Sequence, residues 1–402
     1  MAMAKAMLSL LVHLHAALLF LPEPAGAAVY NVARYGASGD GAADSTRPFL
    51  RAWADACRSP RPATVYVPPG KYLVGRATFV GPCSSRAVTF SITGTLVAPA
   101  GYGWDGASGQ WITFESVVGL TVSGGTLDGR GETLWACKQK QPRGHCPTGA
   151  SSLTISNSRD VVVDGLKSVS SELFHVVVLQ SRGVTVRRVT VDAPADSPNT
   201  DGIHIHKSMN VAVYDAAIRT GDDCVSVGPG NSNLWIERVA CGPGHGISIG
   251  SLGKQQGMAV EAVQNVTVKT TRFTGTTNGL RIKTWGSSKR GFVRGVTFAD
   301  STMSGVDNPI IIDQHYCPDG GCAARQSSGI KISEVEYVNV RGSSSTPVAV
   351  SFDCSRSNPC SGIRLRDVRL TYQKSLQVAK AMSSCRNAEG SASGLVVPPS
   401  CL

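Results

Sequence analysis

The sequence predicts an all-β protein, a right-handed parallel β-helix with a capping helix near its N-terminus. Short apolar segments of strand character recur at spacings of 23 to 34 residues from residue 160 onward. Glycine contributes 44 of the 402 residues, and 42% of the chain is hydrophobic. The hydrophobic content excludes a disordered chain, and the many glycines favour short strands joined by turns.

The first 27 residues predict a signal peptide. Lys5 supplies a positive charge, residues 7–21 are mostly apolar, and Ala25-Gly26-Ala27 gives a small-residue cleavage site. The apolar stretch is too short for a membrane span, and no later stretch approaches that length. We therefore expect a secreted, extracellular protein that begins near Ala28 and has no membrane contact after cleavage.

Residues 45–56 differ from the rest of the chain because their apolar side chains follow a helical period. Phe49, Ala52, Trp53 and Ala56 lie on one helical face, and Ser45 is the expected N-cap residue. A helix here would cover the open end of the first coil, which protects exposed strand edges from aggregation.

Two out-of-phase series of strand segments establish the solenoid. The first series starts at Asp160 (DVVV), Gly183 (GVTV), Asn210 (NVAV), Asn233 (NLWI), Asn265 (NVTV), Gly295 (GVTF), Gly329 (GIKI) and Gly362 (GIRL). The second starts at Asp201, Asp223, His245, Asn278, Asn308 and Thr346. Such short strands cannot bury a face alone, whereas stacked coils bury a continuous core. A leucine-rich consensus is absent and the spacing is too short for propeller blades, so we expect one parallel β-helix domain over residues 28–402.

The twelve cysteines agree with export. No zinc-binding spacing is present, and in an oxidising compartment neighbouring cysteines are expected to form disulfides. We predict the pairs Cys137–Cys146, Cys317–Cys322, Cys354–Cys360 and Cys385–Cys401, together with Cys57–Cys83 and Cys224–Cys241. Asn265 begins an N-glycosylation sequon, and its use is left open.

The formal net charge of +11 predicts an acidic partner. Nucleic acid is disfavoured, because the sequence contains neither a long basic run nor a nucleic-acid-binding motif. An acidic polysaccharide fits a secreted protein better, although the charge could also serve solubility alone.

Aligning the second series places acidic residues in one column. The paired apolar positions are Ile203 and Ile205, Val225 and Val227, Ile247 and Ile249, Leu280 and Ile282, Ile310 and Ile312, and Val348 and Val350. Asp201, Asp223 and His245 each precede a strand, 22 residues apart, with Asp222 at the same turn as Asp223. Neighbouring parallel strands lie about 4.8 Å apart, so these side chains should stack.

Two cations join the same patch. Arg281 falls on an outward position level with His204, Ser226 and Ser248, and Lys283 shares its face. A single Asp beside a Gly is usually a turn residue, but aligned carboxylates on successive coils are not explained by turns. Neighbouring carboxylates repel each other, which raises the pKa of at least one of them. One carboxyl group can then serve as an acid while another serves as a base, as glycoside hydrolysis requires.

Four segments give the chain a specific family resemblance. Residues 197–202 (SPNTDG), 221–224 (GDDC), 241–246 (CGPGHG) and 281–283 (RIK) resemble the signature segments of polygalacturonases, glycoside hydrolase family 28. The resemblance spans essentially the whole mature chain. Residues 308–317 (NPIIIDQHYC) and 251–253 (SLG) look most like plant exo-acting members.

The resemblance implies a role for each matched residue. Family members hydrolyse α-1,4-galacturonosidic bonds with inversion, without a metal or other cofactor. Asp222 would be the general acid, Asp201 and Asp223 would hold and deprotonate water, and His245 would maintain the acid's protonation. Substrate would be bound by Asn199, Arg281, Lys283 and Tyr316. We expect a monomer that acts on homogalacturonan in the cell wall.

Alternatives stay open at this point. Exo and endo action depend on loop shape, which spacing does not reveal. A rhamnogalacturonan hydrolase, a calcium-dependent pectate lyase and a non-catalytic wall-binding protein are the other candidates.

Overall fold

The computed structural model describes residues 26–104, 108–140, 145–254, 257–318, 320, 322, 327–374 and 377–402. The predicted signal peptide therefore lies outside the described residues, apart from its last two positions. Within the described ranges, no helix is long and apolar enough to cross a membrane.

Strands make up most of the described chain. A 3-10 helix covers Val32–Tyr35, and two α-helices cover Thr46–Arg58 (α1) and Glu132–Lys140 (α2). The strands before the site are β1 Ala28–Asn31, β2 Asp40–Asp44, β3 Ala63–Val67, β4 Lys71–Leu73, β5 Ala77–Val80, β6 Val88–Ile92, β7 Thr95–Val97, β8 Gln110–Glu115, β9 Leu120–Ser123, β10 Thr126–Asp128, β11 Ser151–Ser156, β12 Arg159–Asp164, β13 Lys167–Val169, β14 Val176–Leu179, β15 Arg182–Arg187 and β16 Thr190–Asp192. The following strands are β17 Ile203–His206, β18 Met209–Arg219, β19 Val225–Val227, β20 Asn231–Cys241, β21 Ile247–Leu252, β22 Glu261–Lys269, β23 Arg272–Thr274, β24 Asn278–Trp285, β25 Gly291–Ala299, β26 Thr302–Val306, β27 Asn308–Tyr316, β28 Ile330–Val338, β29 Arg341–Ser344, β30 Val348–Asp353, β31 Cys360–Arg366, β32 Arg369–Lys374, β33 Gln377–Lys380, β34 Met382–Arg386 and β35 Ala388–Ser393.

These strands build the predicted parallel β-helix. One eleven-stranded sheet has the order β34-β30-β27-β24-β21-β19-β17-β14-β11-β8-β5, and every pairing along it is parallel. A 24-stranded sheet forms the other faces of the coils. In it, the long strands β18 and β20 bend through two faces, since each pairs with two successive short strands of a neighbouring coil. Alternate side chains point inward and are buried.

The registers confirm most of the predicted alignment and correct two points. Ile203, Val225 and Ile247 are in register, as predicted. In the last aligned coil, however, Ile310 pairs with Val350, not Val348, so the inward pair is Val350 and Phe352. The predicted segment that begins at Gly329 is also shifted.

The shift follows from backbone conformation at one corner of the coils. The residues that open the first series have positive φ, for example Asp160 at 55°, Asn233 at 57° and Gly183 at 68°. Asp, Asn and Gly tolerate this left-handed conformation best. In β28 it is adopted by Glu334, with φ of 56°, so Glu334 opens that repeat in place of Gly329.

Asparagines at this corner form a ladder along the solenoid. Asn233 Nδ2 donates to Asn210 Oδ1 at 3.1 Å, and Asn265 Nδ2 donates to Asn233 Oδ1 at 3.1 Å. Asn265, the predicted glycan acceptor, is exposed but uses its side-chain amide in this ladder. Its glycosylation stays a prediction.

Helix α1 closes the first coils, as predicted. Its Phe49 packs against Tyr72 with ring centroids 5.7 Å apart, and Trp53 packs against Phe79 and Phe114 at 5.5 and 5.4 Å. The buried apolar side chains continue from here through the coils in one cluster. Burial of these aromatic rings anchors the cap to the solenoid.

The predicted N-cap residue needs a correction. Ser45 occupies the position before α1, but its side chain makes no capping hydrogen bond. Its hydroxyl instead lies 3.3 Å from the Ser38 and Ala43 carbonyls. The Thr46 amide donates to Asp44 Oδ1 at 2.9 Å, so Asp44 satisfies a free donor at the start of the helix.

The structure forms all six predicted disulfides. They are Cys57–Cys83, Cys137–Cys146, Cys224–Cys241, Cys317–Cys322, Cys354–Cys360 and Cys385–Cys401. The described residues contain no free cysteine. Cys57–Cys83 ties the capping helix to the first coils, and Cys224–Cys241 lies beside the predicted site.

Candidate active site

The predicted catalytic residues lie where the chain enters three neighbouring strands of the eleven-stranded sheet. Asp201 precedes β17, and His245 precedes β21. Asp222 and Asp223 precede the strand between them, β19. Because these strands pair in parallel one coil apart, the three turns meet at one edge of the sheet.

Asp223 is the buried centre of the charge cluster. Its side chain accepts hydrogen bonds from Arg281 Nη2 at 2.6 Å, Lys283 Nζ at 2.8 Å and Ser248 Oγ at 2.8 Å. Burial alone would raise the pKa of Asp223. The positive charges of Lys283 and Arg281 outweigh it, together with the hydrogen bonds, and lower the pKa to about 2. Asp223 is therefore a fixed carboxylate.

Asp201 is also buried, but no lysine or arginine among the described residues forms an ion pair with it. Burial, followed by the negative charges of Asp222 and Asp223, raises the pKa of Asp201 well above its usual range. A hydrogen bond with Ser226 and the charge of Lys283 oppose this rise without cancelling it. Asp201 therefore keeps a proton under conditions in which Asp223 is ionised.

Asp222 is the half-buried carboxylate of the set. Its Oδ1 lies 3.1 Å from His245 Nδ1, and Asn199 Nδ2 donates to its Oδ2 at 3.4 Å. The Asp223 backbone amide also donates to Asp222 Oδ1, at 2.8 Å. His245 is held in turn, because its backbone amide donates to the Asp222 carbonyl at 2.7 Å. The imidazole and the amide thus orient one carboxyl group.

A buried hydroxyl network fixes the loop that carries Asn199 and Asp201. Thr200 Oγ1 lies 2.7 Å from Ser197 Oγ and 2.8 Å from Thr220 Oγ1. The same Thr200 oxygen accepts from the Gly221 amide at 3.2 Å. The network therefore connects the SPNTDG loop to the turn that bears Asp222, and Cys224–Cys241 fastens that turn to β20.

Aromatic side chains border the two cations. The Tyr316 ring lies 5.1 Å from Lys283 Nζ and 6.0 Å from the Arg281 guanidinium carbon. Tyr316 packs edge-on against Trp285 at 5.3 Å, and Lys254 Nζ lies 4.0 Å above the Trp285 ring. Tyr316 thus joins Arg281 and Lys283, as the sequence predicted, whereas Trp285 and Lys254 were not predicted.

A row of uncharged rings extends the site along the sheet. His204 stacks on Phe174 at 4.5 Å, and His206 lies 5.9 Å further on. Burial, then the proximity of His206, lowers the pKa of His204 to about 3, so its ring is neutral. His204 and His206 line a cavity of about 510 Å³. The alignment placed His204 on the outward column but gave it no function.

The comparisons with known proteins decide the family. The family model described as "Glycosyl hydrolases family 28" matches residues 57–395. The chain belongs to this family. Residues 29–81 also match the description "Rhamnogalacturonase A/epimerase, pectate lyase-like".

Plant proteins are highly similar to this family-28 chain. A polygalacturonase from Prunus persica is 53% identical over 373 residues, covering 93% of each chain. An exopolygalacturonase from Platanus acerifolia is 42% identical over 371 residues, covering 92% of this chain and 97% of its own.

A solved structure supports the fold of the family-28 chain. The hyperthermoactive exopolygalacturonase from Thermotoga maritima aligns with a TM-score of 0.71 at 18% identity, over 85% of this chain and 88% of its own.

Proposed function

We propose that this protein hydrolyses α-1,4-galacturonosidic linkages of polygalacturonate with inversion, acting from a chain end. The observation that carries the proposal is the cluster of three carboxylates and two buried cations at one edge of the sheet. Names of the plant relatives, polygalacturonase and exopolygalacturonase, support the same substrate and favour the exo mode. Endo action is the alternative outcome.

The general acid of this proposal is Asp222. It is the most accessible of the three carboxyl groups, and His245 and Asn199 orient its two oxygens. A positioned acid that protonates the leaving oxygen contributes typically about 10² to 10⁴ in rate. His245 is the positioning residue for this proton.

Asp201 and Asp223 would hold the attacking water. Asp223 is ionised, whereas Asp201 keeps its proton in the unliganded site. Interacting carboxyl groups titrate as a set, so a proton can pass between them when substrate changes their surroundings. As base, Asp201 must first lose its proton, to Asp222 or to solvent, so that it can accept a proton from the water as that water attacks the sugar.

Arg281, Lys283 and Tyr316 form the proposed uronate subsite. Arg281 Nε donates a hydrogen bond to Ser248 Oγ, and Arg281 Nη2 donates one to Asp223 Oδ1. Its Nη1 makes no hydrogen bond within the described part of the chain, so it can donate to a galacturonate carboxylate. Burial by itself would lower the pKa of Lys283, but the Asp223 charge outweighs it and raises the pKa. Both cations therefore stay charged when substrate binds.

A calcium-dependent lyase is the less favoured chemistry. Ligand atoms of Asp222, Asp223 and His245 lie within 4.8 Å of one another, which is close enough to share an ion. Asp223 is already neutralised by two cations at 2.6 and 2.8 Å, however, and these would repel a divalent ion. The proposed reaction uses no cofactor.

Setting and organisation complete the proposal. The disulfides and the leader sequence support secretion to the cell wall, where the acidic partner would be homogalacturonan. We further propose a single β-helix domain over residues 28–402 that acts as a monomer.

A product time course on de-esterified polygalacturonate with a calcium chelator tests the proposal. Saturated monogalacturonate alone from the start is the expected result. A ladder of saturated oligomers with an early fall in viscosity would retain hydrolysis but overturn the exo mode. Absence of saturated product would overturn the proposed function, and an unsaturated product restored by calcium would identify the lyase.

Asp222→Asn tests the catalytic role separately from binding. We expect turnover to fall by about 10² to 10⁴, with polygalacturonate still bound, because Asn keeps the shape but cannot donate the carboxyl proton. Asp192→Asn is the matched control, since Asp192 is 54% exposed and its ion pair is with Arg219, which is not one of the proposed site residues. Unchanged function in Asp222→Asn would favour a wall-binding protein without catalysis.

A further inference from the structure

A second groove lies around the corner from the site, where the eleven-stranded sheet ends and the next face of each coil begins. Its volume is about 310 Å³. Arg159, Arg182 and Lys207 line it from successive coils, and all three are exposed. Among the described residues that line it, none carries a carboxylate.

The two arginines are stacked by the register of the fold. Arg159 on β12 pairs directly with Arg182 on β15 in a parallel ladder. Neighbouring strands lie about 4.8 Å apart, and like charges at directly opposed positions are destabilising. Lys207 precedes the following strand and adds a third positive charge. The row of charges therefore runs along the solenoid axis and favours an extended anion.

Several other arginines of the solenoid have a carboxylate one coil away. Arg187 and Arg188 contact Asp164, Arg219 contacts Asp192, Arg238 contacts Asp215, and Arg366 contacts Glu336. Arg159 and Arg182 make no ion pair within the described ranges, although they occur in the same coils as the first of these pairs. The groove thus retains positive charge that the neighbouring surface neutralises.

The floor of the groove is rigid and polar. The Ser158 amide donates to Ser181 Oγ at 3.0 Å, and the Ser181 amide donates to Ser208 Oγ at 3.0 Å. These three serines are buried, so their ladder fixes the spacing of the coils beneath the cations. Asn157 and Gln180 add amide groups at the rim, which suit the hydroxyls of a sugar chain.

The groove borders the edge at which the strands of the eleven-stranded sheet end, whereas the carboxylates lie at the edge at which they begin. Leu179 and His206 line a cavity on the face of this sheet, and the next residues in the chain, Gln180 and Lys207, line the groove. The two surfaces share strand ends but not side chains at these positions. A polymer segment held by the stacked cations would run along the solenoid axis, one strand length from the carboxylates.

We propose that this groove is a non-catalytic binding site for a polyuronate chain, which holds the polymer next to the cleft. The proposal rests on the proposed function for the identity of the polyanion. Carboxylates at regular intervals would meet Arg159, Arg182 and Lys207, for which guanidinium groups offer paired donors. Tethering a polymer raises the effective concentration of its free ends at the cleft without any new contact there.

The double variant Arg159→Gln/Arg182→Gln tests the groove. Its matched control is Arg341→Gln/Arg369→Gln, which removes two exposed, in-register arginines that line neither groove nor cleft. Affinity electrophoresis through polygalacturonate measures binding, and kinetics on the polymer and on trigalacturonate measure turnover. Neutral galactan and dextran sulfate serve as probes for the sugar chain and for charge alone.

The groove variant should bind polygalacturonate about five- to tenfold more weakly and show a KM raised by a similar factor on the polymer, since each exposed ion pair contributes little. Its kcat/KM on trigalacturonate should equal that of the wild type, and the control variant should change neither quantity. Equal losses in the two double variants, or a loss on dextran sulfate as large as on polygalacturonate, would overturn the uronate site. If the wild type fails to hydrolyse the polymer, the proposed function falls, while electrophoresis still tests the groove.

Discussion

Two regions of the solenoid treat stacked charge in opposite ways. At the exposed corners, the pairs Asp164–Arg187, Asp192–Arg219 and Asp215–Arg238 each join a carboxylate to the guanidinium one coil further on. At the edge of the eleven-stranded sheet, three carboxylates lie on two successive turns, and the two buried cations bond to one of them. The same repeat geometry therefore neutralises charge in one region and concentrates it in the other.

The difference teaches how a repetitive fold carries a site. A corner pair is exposed to solvent, so water and salt screen its attraction and it contributes little to stability. In the cleft, the pKa values of two buried carboxyl groups differ, because Asp223 contacts two cations and Asp201 does not contact them. The pKa of one falls to about 2 while that of the other rises. The coils on which stacked charges are not paired one to one are therefore the coils that carry the proposed site.

Asp223→Asn should produce the largest effect on this contrast. The substitution leaves Arg281 and Lys283 buried without their counter-ion, which typically costs about 3–5 kcal/mol in unfolding free energy. It also removes a proposed water-binding carboxylate, so turnover should be lost. Urea unfolding of the purified protein, compared with Asp192→Asn at an exposed corner, measures the first effect.

The comparison breaks if Asp223→Asn and Asp192→Asn unfold at the same urea concentration. That result would mean that buried and exposed carboxylates of the solenoid contribute equally. A loss of turnover in Asp223→Asn without a loss of stability would instead assign the residue to chemistry alone.

The sequence predicted the parts of the cleft that depend on repeat spacing. Asp201, Asp223 and His245 are 22 residues apart, and a constant interval places side chains in one column whatever the local contacts. The same logic placed Arg281 level with Ser248, and the structure pairs them. It failed where a coil changes length, as for Val348 and Gly329. At Gly329 the register follows Glu334, which adopts the positive φ.

The spacing of repeats cannot predict contacts that side chains make across coils. For example, it does not reveal that Arg281 and Lys283 both contact Asp223 and that neither contacts Asp201. Likewise, Ser45 had the right position for a cap, but Pro48, at the third helical position, has no N–H to donate, and the Ser45 hydroxyl lies on the Ser38 and Ala43 carbonyls.

Asp201→Asn should have a smaller effect on stability and one of opposite sign. In the folded chain Asp201 keeps its proton at a pH at which the unfolded chain has released it. The wild type therefore loses stability as the pH rises above about 4, the ordinary pKa of the carboxyl group, until the raised folded-state pKa is passed. Asn cannot ionise, so the variant should be more stable near neutral pH by about 0.5–2 kcal/mol, with turnover lost.

The pH dependence separates this explanation from simple repacking. The stability advantage of Asp201→Asn should vanish below about pH 4, where both states of the wild type are protonated. An advantage that is equal at pH 3 and pH 7 would show that the carboxyl proton is not its cause. For the wild type, kcat/KM should peak on the acidic side of neutral, because the acid must stay protonated while its partners ionise.

Arg187→Gln, at an exposed corner pair, should have the smallest effect on stability and turnover. Arg187 Nη2 lies 3.0 Å from Asp164, whose carboxylate also contacts Arg188, and Arg187 is 45% exposed. Exposed pairs of this kind contribute less than about 1 kcal/mol, and here a second arginine remains to neutralise the acid. Urea unfolding and turnover on polygalacturonate should both stay near wild-type values. Arg187 ends the strand that begins at Arg182. A large loss of polymer binding in Arg187→Gln would therefore extend the binding surface along this strand and contradict the assignment of Arg187 to a purely structural pair.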